Sequence, residues 1–317
     1  YKIKDIKFVC AFDVNKNKIG KDISQAIFIE PNNCLIFSEV PKIRAEVKRG
    51  PVLDGIGETL IDSVPIDEKD DPVDVKKELE DSDAEVLVNL VPVGSDKAAK
   101  FYAEAAIEAG CAVINGMPAF IANDKNIVVK AEKARVPVIG DDVKSQVGAT
   151  IVHRALVDLL VKRGVRIKNT YQLNFGGDMD FKNMLSRERL KTKKITKTEA
   201  VRSLIPKEYK EKVGIHIGPS DYVPFLNNQK IAYMRVEGEK FGRVPMYIDL
   251  KLHVHDAPNS AGCLVDCIRC AKLGLDRNIG GVLHSPSAAY MKYPPQPMSD
   301  PEAFEALENF ILGKRER

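Results

Sequence analysis

The stretch Glu85-Val-Leu-Val-Asn-Leu-Val91 decides the fold class, because its apolar run predicts a buried strand and a helical pattern follows it directly. The Ala-rich segment 96–109 predicts that helix. A strand at 112–115, a helix at 124–134 and a strand at 136–139 continue the alternation. Strands that alternate with helices in this way are typical of a parallel sheet covered on both faces. We therefore predict a doubly wound, Rossmann-like α/β domain in the first half of the chain.

The residues before this core predict a further strand and an irregular insertion. Residues 6–12 are typical of a buried strand that ends at Asp13. In a dinucleotide-binding fold, an acid at the end of the second strand accepts hydrogen bonds from the adenosine ribose, and a glycine-rich loop lies about 20 residues earlier. That position falls before Tyr1, so we expect the natural protein to carry an N-terminal strand and glycine loop that this chain lacks. Residues 29–72, with an acidic run at 67–71, predict an irregular insertion.

The second half of the chain changes pattern after a long helix predicted at 146–162. Residues 170–175, 231–237 and 246–255 alternate like strands of an open sheet with one solvated face. Helices follow at 259–272 and 300–312. We predict an α/β protein with three parts, which are a Rossmann-like domain at 1–145, an α+β domain at 146–256 and a C-terminal segment at 257–317.

Composition limits the classes of partner. Lys and Arg number 48 against 45 Asp and Glu, so the net charge of +3 offers no global attraction to nucleic acid or an acidic membrane. No stretch approaches the 18 or so consecutive apolar residues of a membrane span, and we expect a soluble, cytoplasmic protein. Six irregularly spaced cysteines predict reduced thiols.

Possible metal and anion motifs each have a structural alternative. The segment 140–148 follows a strand and opens a helix, so Ser145 and Gln146 form either an anion site or an ordinary cap. Asp178 and Asp180 could bind a cation, but a loop with satisfied carboxylates is the better interpretation because the calcium-loop spacing is absent.

Two histidines and three cysteines are weaker candidates still as metal ligands. His253 and His255 share a strand face without an obvious third ligand. The remaining candidates lie on one face of a predicted helix and favour packing over cluster binding; they are Cys263, Cys267 and Cys270. We predict no metal centre.

A basic stretch at 187–197 carries the chain's densest positive charge. Thr196-x-x-Glu199 predicts a capping box, which makes Lys197 the first helical residue. A cation at the positive end of a helix either points into water or faces an anion, and burial there favours the neutral amine. Lys197 is therefore a candidate base or anion ligand, with Lys193 just upstream. A solvated face and a nucleic-acid patch are the alternatives.

Six segments together resemble the inositol-1-phosphate synthases in their short bacterial and archaeal form. They are GDDVKSQVGAT (140–150), NFGGDMDFKNM (174–184), TKKITKTEAV (192–201), HIGPSDY (216–222), DAPNSAG (256–262) and AAYMKYPP (288–295). The resemblance covers nearly the whole chain in the same order. It implies NAD-dependent, redox-neutral conversion of D-glucose 6-phosphate to 1D-myo-inositol 3-phosphate by C5 oxidation, enolisation, aldol closure and reduction.

The resemblance also implies site residues. The family's active-site lysines match Lys193, Lys197, Lys230 and Lys292. Of these, Lys193 and Lys292 are expected to move protons at the C5 oxygen. Lys197 and Lys230 are expected to hold the phosphate and the oxygen that becomes negative. Asp180 is expected to act beside the lysines as a catalytic residue. Substrate contacts are expected from Ser145, Gln146, Asn174 and Asn183, and cofactor contacts from Asp13, Val91, Pro92, Asn115, Asp142 and Asp256.

The resemblance further implies a homotetramer assembled through the second domain's sheet, with the C-terminal segment returning to the cofactor domain. It leaves open whether a monovalent or divalent cation is needed. It departs from the larger relatives at 146–148, where Gln-Val-Gly stands in place of Gly-Gln-Thr. Rival interpretations are another two-domain NAD-dependent dehydrogenase acting on a phosphorylated sugar, an inactive family member and a nucleic-acid binder.

Overall fold

A computed structural model describes residues 1–66 and 71–317 of the chain. It does not describe the side chains of residues 187, 190, 191, 193, 194, 219 and 220. The acidic run predicted inside the insertion therefore lies mostly outside the described residues, and so does the side chain of Lys193.

The first part of the chain alternates strands with helices. Its elements are β1 (Ala11–Asp13), α1 (Ile23–Ala26), β2 (Val47–Arg49), α2 (Val75–Asp81), β3 (Val86–Asn89), α3 (Asp96–Glu108), β4 (Ala112–Asn115), α4 (Lys125–Ala134) and β5 (Pro137–Ile139). Asp74 and Asp124 cap α2 and α4, because their carboxylates accept backbone amides of the first turn.

The second part is α+β and the last part is mainly helical. The elements are α5 (Ala149–Lys162), β6 (Arg166–Gly176), α6 (Met179–Asn183), α7 (Lys191–Arg202), β7 (Gly214–Tyr222), β8 (Gln229–Glu239), β9 (Pro245–His255), α8 (Asp256–Asp276), β10 (Gly281–Val282), α9 (His284–Tyr290) and α10 (Asp300–Ile311).

All strands of the first part pair in parallel, which confirms the doubly wound prediction. β1 pairs with β2, and a second sheet has the order β10-β5-β4-β3. Ala103 and Ile127 belong to the core on one face of this sheet, while Cys267 and Ala271 of α8 belong to the core on the other. The cysteines of α8 are buried in that core, as predicted. β10 shows that the C-terminal segment returns to this sheet.

The second part forms a mixed sheet of order β7-β6-β8-β9, in which only the β6–β7 pair is parallel. One face packs against α5 and α7 through residues such as Val157, Val201 and Val236. On the other face Tyr233 is stacked on Phe175 and remains partly exposed. The expected sheet with one open face is confirmed.

Several element bounds differ from the sequence-based ones. The first strand begins only at Ala11, because Phe8 and Val9 are exposed rather than packed. The insertion contains β2, whose three residues are too few for a periodic signal. α5 begins at Ala149 instead of 146, and α8 begins at Asp256 instead of 259.

The capping box predicted at Thr196 is wrong. α7 runs without a break from Lys191 to Arg202, so Thr196 and Lys197 lie in its interior. Lys197 is therefore not at the positive end of a helix, and the argument from the helix dipole does not apply to it.

Candidate active site

A cleft of about 1300 Å³ lies at the carboxyl ends of the parallel strands and is closed on its other side by the second domain. Ligands of doubly wound sheets bind outside these strand ends. The predicted site residues that line it are Asp13, Val91, Pro92, Asp142, Ser145, Asp180, Asn183, Lys197, Lys230, Asp256 and Lys292. The cleft therefore brings together lysines and carboxylates from all three parts of the chain.

Asp13 occupies the strand end expected of a ribose-binding acid. Its carboxylate accepts the backbone amides of Val14 and Asn15 at 2.7 and 2.9 Å, and Lys18 Nζ lies 3.3 Å from its other oxygen. These contacts orient the side chain, which remains partly exposed to the cleft.

Asn115 lies beneath the cleft rather than in its wall. The side chain is fully buried, and its amide donates to Met117 O, Ala119 O and Asp141 Oδ1. Its own oxygen accepts from Asn89 at 3.1 Å. The structure thus makes Asn115 a support of the strand ends.

Asp141 is a buried carboxylate that the sequence did not single out. It accepts the backbone amides of Ile121, Ala122 and Asn123 and the side-chain amides of Asn115 and Asn123. Burial nevertheless raises the pKa of Asp141 to about 6. The donors fix the loop after β5, and this loop presents the next residue, Asp142, to the cleft.

Asp142 joins three segments of the chain. Lys292 Nζ, which follows α9, donates to Asp142 Oδ1 at 2.6 Å. The hydroxyl of Thr196 on α7 donates to Oδ2 at 2.5 Å. Asp142 has a left-handed backbone with φ of 65° and is buried. Lys292 thus enters the cleft as one member of a fixed ion pair.

Lys230 faces a group of acids at the other end of the cleft. Its Nζ donates to both oxygens of Asp256 at 2.8 and 3.1 Å. Burial acts to lower the pKa of Lys230, but Asp256, Asp178 and Asp180 outweigh it and the pKa is raised. Burial, followed by repulsion from Asp180 and Asp256, raises the pKa of Asp178 to about 6.

Lys197 is buried in the wall of the same cleft. It projects from α7, which packs against α5 and β7. Three of the four predicted lysines, Lys197, Lys230 and Lys292, therefore line one cavity. The position of the Lys193 side chain stays a prediction, although its backbone belongs to α7.

Ser145 and Gln146, in the segment before α5, are placed differently from each other. Ser145 lines the cleft, and its hydroxyl lies 3.1 Å from that of Ser260. The side chain of Gln146 lies against α8, where a Cβ on Gly262 would come within 2.6 Å of Gln146 Cδ. Gln146 does not line the cleft.

The two asparagines also differ. Asn174 is fully buried, and its amide accepts from Gln172 and donates to Gly218 O, each at 2.8 Å. Asn183 lines the cleft and donates to Val93 O at 2.8 Å. Its Oδ1 is buried without a hydrogen-bond partner among the described residues. A buried acceptor of this kind suits a ligand that donates a hydrogen bond.

A buried group of charged side chains behind the site was not predicted from the sequence. Lys144 and Arg154 both contact Asp300 at the start of α10, and Arg154 also donates to Ala200 O on α7. Burial, followed by repulsion from Arg154, lowers the pKa of Lys144 to about 8. The only sequence signal was the charge of Lys144 beside the two acids, which does not reveal contacts with distant segments.

Within residues 1–66 and 71–317, no group of three or more His, Cys, Asp or Glu side chains could hold a metal ion. In that same part of the chain, no helix has the length and apolar character needed to cross a membrane.

Several known proteins similar to this chain share one description. A family model described as myo-inositol-1-phosphate synthase matches residues 148–257. The chain is 50% identical to an inositol-3-phosphate synthase of Mycobacterium tuberculosis over 313 residues, covering 99% of this chain and 85% of that protein. It is 49% identical to one of Corynebacterium glutamicum over 317 residues, covering 98% and 87%.

A solved structure of a myo-inositol-1-phosphate synthase-related protein from Thermotoga maritima has a similar fold. Its TM-score is 0.79 at 25% identity, covering 98% of this chain and 87% of that one. The inositol-3-phosphate synthase of Caenorhabditis elegans has a TM-score of 0.73 at 17% identity, covering 95% and 69%, and so supports the fold alone.

Proposed function

The chain belongs to the myo-inositol-1-phosphate synthase family, and on that premise we propose that it converts D-glucose 6-phosphate into 1D-myo-inositol 3-phosphate with bound NAD. The observation that carries the proposal is the convergence of Lys197, Lys230 and Lys292, with carboxylate partners, on one cleft at the strand ends. Negative charge develops on substrate oxygens during enolisation and ring closure, and preorganised cations stabilise it there.

The residues of the cleft fit a dinucleotide. Asp13 would accept hydrogen bonds from the adenosine ribose, and Val91 and Pro92 offer an apolar wall. The buried acceptor Oδ1 of Asn183 matches a ligand that donates a hydrogen bond. When bound, NAD supplies the oxidation and the later reduction that leave the overall conversion redox-neutral.

The charges around each lysine favour a different role for each of them. Three carboxylates surround Lys230, so a phosphate beside it would meet like charges, whereas sugar hydroxyls would find acceptors. We therefore assign Lys230 to the oxygen that becomes negative in ring closure. Lys197, with Ser145 at the cleft wall, is assigned to the phosphate. Lys292, held by Asp142, is assigned to proton movement at the C5 oxygen.

The activity test uses the purified protein with glucose 6-phosphate and NAD. We expect inositol phosphate by phosphorus NMR without a net rise of NADH absorbance. Accumulation of NADH in proportion to product would instead identify a dehydrogenase, and no turnover would identify an inactive member. Tight binding to generic duplex DNA that weakens steeply with salt would support the nucleic-acid alternative.

The open face of the mixed sheet supports a homotetramer as part of this proposal. Tyr233, Tyr247 and Leu173 expose apolar area on β6, β8 and β9. Burial of such a face between subunits is favourable in proportion to its apolar area. Light scattering should give four times the chain mass, and a monomer at micromolar concentration would contradict the assembly.

Lys197→Ala is expected to reduce kcat at least tenfold, or about 1.4 kcal/mol, while the fold remains intact. The reason is that the substitution removes a buried ammonium group from the cleft wall, and with it the hydrogen bonds that this group would donate to the substrate. Steady-state kinetics with circular dichroism would measure both. Lys162→Ala is the control, because Lys162 pairs with Asp158 on the surface of α5 with 57% of its side chain exposed. Near-normal turnover of Lys197→Ala would remove Lys197 from the mechanism.

A further inference from the structure

We propose that Thr196 is a positioning residue, whose hydroxyl fixes the Asp142 carboxylate so that Asp142 holds the Lys292 ammonium group in the cleft. Its kinetic consequence rests on the function proposed above. Its structural consequence, the orientation of Asp142, does not.

The two oxygens of Asp142 accept from donors on two different segments of the chain. Thr196 Oγ1 donates to Oδ2 at 2.5 Å, and Lys292 Nζ donates to Oδ1 at 2.6 Å. The backbone adds a further link, since the Lys292 amide donates to Asp142 O at 2.7 Å. With both oxygens held, the carboxylate cannot rotate about its Cβ–Cγ bond without breaking a contact.

The contact of Thr196 crosses from one domain to the other. Thr196 is fully buried in the interior of α7, and its hydroxyl donates to Asp142 in the loop after β5. The hydrogen bond therefore joins the second domain to the first at the point where the catalytic lysine enters.

The surroundings make this hydrogen bond consequential. Asp142 is 3% exposed, so water can replace a lost donor only poorly. Without the Thr196 hydroxyl the Asp142 carboxylate can rotate, and its rotation moves Oδ1 out of line with the Lys292 ammonium group. A displacement of about 1 Å in a reacting group can cost roughly a hundredfold in rate, so a partial shift should be readily measured.

The kinetic experiment compares three variants of α7. Thr196→Val keeps the shape and removes the hydroxyl, so kcat should fall about tenfold while KM for glucose 6-phosphate changes less than about threefold. Thr196→Ser restores the hydroxyl and should return kcat to within about threefold of the wild type. Thr198→Val is the matched control on the same helix and should behave as the wild type.

A crystal structure of Thr196→Val supplies a readout that does not depend on turnover. We expect a rotated Asp142 carboxylate and an Asp142–Lys292 separation longer than the wild-type 2.6 Å. The proposal is overturned if Asp142 keeps its orientation, if kcat is unchanged, or if Thr196→Ser is as impaired as Thr196→Val, which would indicate a packing effect. If the wild type makes no inositol phosphate, the proposed function fails and the crystal structure alone decides this inference.

Discussion

Lys230→Met should lower kcat by about a hundredfold, which is typical of removing one preorganised donor from an active site. Lys230 donates to Asp256 and lies near Asp178 and Asp180, so its positive charge interacts with three carboxylates. Methionine keeps much of the side-chain length and removes the ammonium group, together with its cation–π contact with Phe181. The loss should therefore be electrostatic rather than a loss of packing.

The same variant should also lose stability in a pH-dependent way. Lys230 acts to lower the pKa of Asp178, so its removal raises that pKa further above about 6. A carboxyl with a raised folded-state pKa holds its proton in the native state while the unfolded state releases it. The native state then loses stability as pH rises from about 4 through the folded pKa. The melting temperature of Lys230→Met should thus fall further below the wild type at pH 8 than at pH 5.

Lys230→Arg is the control that separates charge from position. It keeps a cation among the carboxylates and should retain most of the melting temperature at pH 8. The guanidinium has a different shape from the ammonium, so kcat should remain low. A deficit of Lys230→Met that does not depend on pH would contradict the electrostatic explanation.

His153 should account for a loss of stability between pH 6.5 and pH 4. The ring is fully buried on α5, with Nε2 2.6 Å from Thr170 Oγ1 and Nδ1 3.2 Å from Gln172 Oε1. Burial lowers the pKa of His153 to about 4, despite a hydrogen bond from the ring to Gln172. The unfolded chain takes up a proton below about 6.5 while the native state does not, so stability falls as pH drops to about 4.

The expected size is about 3 kcal/mol across that interval, because each pKa unit corresponds to about 1.4 kcal/mol. Urea unfolding at pH 7, 5.5 and 4.5 would measure it. His153→Gln should cost stability at pH 7 but show a flatter decline toward acid. His216→Gln, on the exposed side of β7, is the matched control and should keep the wild-type slope. Equal slopes for His153→Gln and the wild type would exclude His153 as the source.

The fold was largely predictable where a pattern repeats. The strands β3 and β4 and the helices α3 and α4 lie within a few residues of their predicted bounds, because buried runs and amphipathic helices carry strong periodic signals. The short strands β2 and β10 were not predicted, since their partners lie far along the chain and set them more than local sequence does.

The candidate site was predictable in its residue types more than in its geometry. Lys197, Lys230, Lys292 and Asp142 were named from the family resemblance, and they line the cleft. The T-x-x-E pattern suggested a cap at Thr196, but such a pattern also occurs inside helices, and its hydroxyl bonds a residue in another domain. Asn115 and Asn174 are buried supports, which no local pattern distinguishes from ligand contacts.

The position of Lys292 late in the chain determines when the site can form during translation. Its segment is held by β10 against β5 and by a bridge between Val143 and Met291, and Lys292 lies 150 residues after Asp142, so the whole second domain must be synthesised before the lysine can reach Asp142. A growing chain can complete its β3–β4–β5 sheet well before then. Catalytic competence would therefore appear late and abruptly, and an arrested nascent chain would be inert toward sugar phosphate.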